Sequence, residues 1–109
     1  MSDLFAVLAD PTRRRLVEVL HKGDQSVNEL VAAVEIAQPG VSRHLRILNE
    51  AGLVTVRPSG QQRFYSLRRQ PFRELAEWMR RIAEEEHERL DRLSDFLEGP
   101  ERKPAKKRK

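Results

Sequence analysis

The chain has no cysteine, so disulfides, thiolate metal ligands and thiol redox chemistry are closed to it. No apolar run approaches the roughly 20 residues a helix needs to cross a bilayer. The opening MSDLFAVLADP lacks a basic stretch followed by a long apolar one. A soluble, cytoplasmic protein is expected. Aromatic residues are few, four Phe, one Trp and one Tyr, and too scattered for a cage around a cationic ligand. Trp78 is therefore assigned to a core or dimer interface. The sequence also lacks a glycine-rich phosphate loop and a grouping of histidine, carboxylate and nucleophile. The Glu84 to Glu86 cluster falls on a helical surface, where water solvates carboxylates. No enzyme and no cofactor are expected.

What is present is charge, unevenly placed. The 109 residues carry a net charge of +4, but PERKPAKKRK, residues 100–109, holds six Lys/Arg against Glu101, which leaves residues 1–99 at −1. Within those residues the segment 37–69 has Arg43, Arg46, Arg57, Arg63, Arg68 and Arg69 against Glu50 alone, with acidic segments on both sides. One basic island in a near-neutral domain is the local footprint that attracts a polyanion.

The length fits a single domain, expected over residues 1–98, followed by a disordered basic tail at 99–109. The apolar residues 3–9 form a short first helix. Asp10-Pro11 supplies an N-cap with proline at the first helical position, and Leu16, Val17, Val19 and Leu20 give the apolar face of a second helix that Gly23 ends. Ser26 and Glu29 make a capping box for a third helix through Val34. A fourth runs from Gln38 to Gly52, with Val41, Leu45 and Leu48 on one face. LVTV and RFYSL then alternate around PSGQQ as a hairpin with a polar tip. From Pro71 to about Glu98 the helical period returns, and its stripe is longer than a domain of this size can cover.

Two short helices, a tight turn and a two-stranded ribbon make a winged helix-turn-helix, mainly α with a small β-hairpin. The competing reading is a plain corner of a helical bundle with a surface hairpin. Facing Val41, Leu45 and Leu48 inward leaves Pro39, Ser42, Arg43 and Arg46 outward, with Gly40 and His44 at the flanks. This suits a helix whose N-terminal end enters a major groove. Pro39 preorganises the first turn and Gly40 removes bulk where the duplex approaches. Base reading is assigned to Gln38, Ser42, Arg43 and His44, and phosphate positioning to Arg46 and the wing residues Arg57, Gly60, Gln61, Gln62 and Arg63.

In ADPTRRRLVEVL, SVNELVAAV, QPGVSRHLRILNEAGLV and GQQRFYSL the chain resembles the ArsR family of bacterial winged-helix repressors, over roughly residues 4–97. The resemblance implies a cytoplasmic homodimer, nucleoid-associated when bound, that represses from an operator in double-stranded DNA. By resemblance the recognition residues fall on Gln38, Pro39, Gly40, Ser42, Arg43 and His44. The final helix resembles the family's dimerisation helix, paired with the first, which places Leu4, Phe5, Leu8, Phe72, Leu75, Met79, Ile82, Ala83, Leu90, Leu93 and Leu97 at the dimer interface. The ending resembles the metal-independent branch. Ala37 stands where many members carry Ser or Thr, forfeiting an N-cap worth about 1 kcal/mol. Gly40 stands where a larger residue is common and costs about as much in helix propensity, so a weakened first turn is expected.

The family's thiolate metal site would need cysteines where Ser26 and Asn28 stand. His87 with Glu84, Asp91 or both could serve a metal-responsive repressor, against the plainer reading of a solvated helix face; no metal site is assigned. His21 is read as a favourable charge at a helix C-terminus. Arg13, Arg14 and Arg15 oppose the macrodipole of the second helix, and either a phosphate contact or an Arg14–Glu18 pair would explain them. The tail KPAKKRK is read as an affinity-raising DNA arm. Two forms of regulator stay open, a ligand-independent autorepressor and a sensor of a small-molecule effector. A dimeric interaction module with vestigial DNA binding is the third possibility.

Overall fold

Local chemistry accounts for most helix boundaries in the computed structural model, which describes residues 2–98. The expected basic tail lies outside the described residues. The elements run α1 (Ser2–Leu8), α2 (Pro11–Lys22), β1 (Gln25–Ser26), α3 (Val27–Val34), α4 (Gln38–Glu50), β2 (Val54–Ser59), β3 (Gln62–Leu67) and α5 (Arg69–Glu98). The chain divides into two compact units, Met1–Glu74 and Leu75–Lys109.

Asp10 caps α2 by accepting from the backbone N–H of Thr12 at 2.8 Å and of Arg13 at 3.1 Å. Ser26 caps α3 reciprocally: its Oγ accepts from Glu29 N at 3.2 Å, and Glu29 Oε1 accepts from Ser26 N at 2.8 Å. Ser26 is buried, so removing its hydroxyl strands a donor that water reaches poorly. Ser26→Ala is expected to lower stability by about 1 kcal/mol, read from the midpoint of urea unfolding; an unchanged midpoint would remove this cap from the account.

α3 stops at Glu35, which takes the left-handed conformation (φ 59°) and donates its N–H to Val31 O at 2.9 Å. That single turn re-aims the chain into α4. Gly52 ends α4 at φ 81°, with Gly52 N donating to Asn49 O at 3.0 Å and Leu53 N to Leu48 O at 2.9 Å. This is the Schellman pattern, closed by two buried leucines, Leu48 and Leu53.

The core of the first unit collects Leu16 and Leu20 of α2, Leu30 of α3, Val41, Leu45 and Leu48 of α4, and Leu53 and Val54, all 0–1% exposed. The helix-face readings from the sequence hold here. The sheet is larger than expected. β1 pairs antiparallel with β3, Gln25 opposite Tyr65 and Ser26 opposite Phe64, making a three-stranded sheet in the order β1-β3-β2. Two residues are too few to carry an alternating pattern, and the cap masks the strand. The wing is also longer and tighter than PSGQQ suggests. Pairing continues to Ser59 opposite Gln62, which leaves Gly60-Gln61 as a two-residue loop. Positive φ at Gly60 alone of the pair, 62°, fits a type II′ turn. Pro58 is tolerated because β2 is an edge strand.

α5 begins at Arg69, two residues before the expected start, which puts Pro71 in the first turn where its missing N–H costs little. No residue of α5 is buried. No helix among the described residues is long and apolar enough to cross a membrane.

Candidate nucleic-acid interface

α4 is held by one face. Val41, Leu45 and Leu48 are buried, while Gln38, Pro39, Arg43 and Arg46 are exposed and Gly40, Ser42 and His44 half-buried. Gln38 Nε2 donates to Ser42 Oγ at 3.1 Å, joining two of the expected base readers across one helical turn. As expected, Ala37 provides no side-chain cap.

Gly40 also sits against a neighbour in its own chain. A Cβ there would stand 3.0 Å from Ile36 Cγ2, so the glycine relieves a contact inside the helix-turn-helix.

The wing lies beside α4. Val27, Gln38, Ser42, Arg46 and Asn49 on the helical side and Val56, Arg63 and Tyr65 on the sheet side line one open groove. A second, lined by Ser26, Val27, Asn28, Gln38, Gln61, Gln62 and Arg63, reaches the wing tip. The strand register explains why Val56, Arg63 and Tyr65 share a face: Val56 is opposite Tyr65 and Pro58 opposite Arg63. Asn28, Asn49 and Tyr65 escape sequence reasoning, because only the packing of the sheet on the helices brings Asn49 and Tyr65 to the first groove and Asn28 to the second.

The basic island is half committed internally. Arg57 pairs with Asp24 at 3.7 Å and lies over the Phe64 ring, 5.2 Å from its centroid. Arg68 Nη1 donates to Gly52 O at 2.8 Å, and Arg69 Nη1 stands 3.4 Å from His21 Nδ1. Among the described residues Arg43, Arg46 and Arg63 are exposed and have no ion-pair partner, and Arg46 and Arg63 line the groove. Those two supply its free positive charge.

The arginines of α2 are explained by α1. Arg13 Nε donates to Val7 O at 2.7 Å and Arg14 Nη1 to Leu8 O at 2.7 Å, so both close carbonyls at the end of α1. Neither alternative drawn from the sequence describes this. The ion pair that does form is Arg15 with Glu18, three residues on, at 3.8 Å. Arg13 also reaches α4: its Nη1 is 3.3 Å from His44 Nδ1. The Asp10 carboxyl beneath is held below the usual carboxylate range, chiefly by the hydrogen bond from the Arg13 N–H.

Of the residues expected at a dimer interface, Leu4 is buried within the first unit, and Val7, not singled out before, is buried too. Leu8, Phe72 and Leu75 are half-buried. Phe5, Met79, Ile82, Leu90, Leu93 and Leu97 are 42–71% exposed, Phe96 reaches 82%, and Ala83 is exposed as well. In α5 His87 Nε2 lies 3.4 Å from Asp91 Oδ2, while Glu84 pairs with Arg80 at 4.0 Å. Among the described residues no group of three or more His, Asp or Glu could hold a metal ion.

A capped helix, a one-residue left-handed turn, a second helix anchored by its apolar face and a hairpin beside its cationic face define a winged helix-turn-helix. Residues 10–56 match the model of bacterial regulatory proteins of the arsR family. The chain is 32% identical over 79 residues to the transcriptional repressor SdpR of Bacillus subtilis, covering 72% of this chain and 88% of that one. It is 47% identical over 63 residues to the HTH-type transcriptional regulator Rv2034 of Mycobacterium tuberculosis, covering 58% of this chain and 59% of that protein. Among solved structures, a "possible transcriptional regulator for arsenical resistance" superposes with a TM-score of 0.68 at 41% identity, covering 91% of this chain and 98% of that one. An ArsR-like regulator from Rhodococcus sp. RHA1 gives 0.76 at 27% identity, covering 92% of each. The chain belongs to the ArsR family and is a sequence-specific DNA-binding transcriptional regulator, not an enzyme.

Proposed function

We propose that the protein is a homodimeric repressor that binds an inverted-repeat operator. The observation that carries this reading is α4 itself: three fully buried side chains lock the helix while Gln38, Ser42 and Arg46 line the groove beside the wing and Arg43 is exposed. A helix so held can deliver donors to base edges without reordering first. Gln38, Ser42, Arg43 and His44 read bases, with Pro39 and Gly40 shaping the first turn. Arg46, Arg63 and the tip residues Gly60, Gln61 and Gln62 follow the adjacent backbone, and Arg57 serves there from its pairing with Asp24. The repressing role is supported by SdpR, named as a transcriptional repressor.

Dimerisation is supported by the apolar stripe of α5, where Met79, Ile82, Leu90, Leu93 and Leu97 are 42–71% exposed. Two-fold symmetry then sets half-sites about one helical turn, roughly 34 Å, apart. The basic residues after Gly99 add affinity without selectivity. The domain division is proposed accordingly, with residues 1–98 binding DNA and dimerising.

Selection of duplexes from a random pool at moderate salt tests this. The parent is expected to yield an inverted repeat. Arg43→Ala is expected to blur one position of each half-site and weaken binding by about 10-fold or more, the discrimination carried by a good base contact. Recovery of only unselective, salt-sensitive complexes would leave the tail as the sole contact and end this reading.

A further inference from the structure

We propose that Arg13, a residue of α2 outside the recognition helix, is a positioning residue for DNA reading: it fixes the His44 ring so that Nε2–H is presented to the operator. The geometry is a relay. Arg13 Nε is anchored on Val7 O at 2.7 Å and Nη1 meets His44 Nδ1 at 3.3 Å. A guanidinium only donates, so the contact is a hydrogen bond when Nδ1 accepts, and the tautomer that accepts there carries its proton on Nε2. The two ring nitrogens face opposite sides of the imidazole. Nε2 has no hydrogen-bond partner among the described residues, and His44 is half-exposed on the helix that carries Arg43.

Without Arg13 the ring could rotate, or exchange its proton between the two nitrogens, and the donor would reach the duplex only part of the time. The held donor suits an acceptor such as a purine N7 or a carbonyl oxygen on a base edge. Arg13 thus acts through His44, with Nε held on Val7 O and Nη1 on His44 Nδ1. The anchor also ties the reading residue to α1 through Val7.

The inference rests on α4 being the reading helix, and a double-mutant cycle on the full chain separates the two. The probe is the duplex recovered with the parent protein. Arg13→Met keeps the aliphatic stem and is expected to weaken binding about tenfold, the worth of one recognition hydrogen bond. In a His44→Ala background the same change is expected to cost nothing further, because no ring is left to position. Nitrogen-15 spectra of the imidazole in the free protein are expected to report the Nε2–H form in the parent and a mixture in Arg13→Met. Equal losses in both backgrounds, with the salt slope reduced by about one, would make Arg13 a phosphate contact and overturn the proposal. Equal losses with an unchanged slope would make it a structural tie between α1 and α2, and overturn it as well. If His44→Ala binds like the parent, His44 does not touch DNA and the underlying assignment fails first.

Discussion

Leu45→Ala is expected to cost about 3 kcal/mol of folding stability, within the range for deleting a fully buried leucine side chain. Leu45 is the middle of the three residues that fasten α4, and it is 0% exposed. The loss has two parts, the transfer energy of the removed methylenes and the cavity that the surrounding core cannot close. Urea unfolding followed by circular dichroism measures it. Arg46→Ala, one residue along on the opposite face, is expected to stay within about 0.5 kcal/mol of the parent. The contrast between neighbours is the test: similar losses, or a Leu45→Ala loss below 1 kcal/mol, would mean that α4 is not clamped by its apolar face.

That contrast also marks where the sequence was legible. Val41, Leu45 and Leu48 announce their face because a helix repeats every 3.6 residues, and a period is a local property. Caps are local too, so Asp10, Ser26 with Glu29, and Gly52 could be placed before any coordinates. Long-range pairings carry no such signal. β1 is two residues long, and its partner Tyr65 lies 40 positions away. Arg13 meets His44 across 31 positions. Nothing in RRR says which arginine closes a helix end and which reaches a second helix.

The charge pattern was legible as a total but not as an allocation. Six arginines in residues 37–69 mark the region of the proposed interface, yet three of them have partners in their own chain: Arg57 on Asp24 and Phe64, Arg68 on Gly52, and Arg69 on His21. Side-chain charge counts reach; structure decides whether the reach is already satisfied. The same distinction applies to Gly40. Its position in the helix could be read, but the closeness of Ile36 to it could not.

Leu90→Glu with Leu93→Glu is expected to convert the protein to a monomer and lower operator affinity about a hundredfold or more, because a linked second contact supplies an avidity of that order. Both leucines are more than half exposed in the single chain, so the substitutions leave its fold intact and circular dichroism should be unchanged. In a dimer the same positions would bury carboxylates against apolar partners, which is costly without pairing. Sedimentation measures the assembly, and titration against the selected duplex measures the affinity. A stable dimer in the variant would move the interface away from this stretch of α5. A monomer that binds the full operator as tightly as the parent would break the link between assembly and recognition: one copy of α4 and its wing would then carry the affinity, and the inverted repeat would have no symmetric reader.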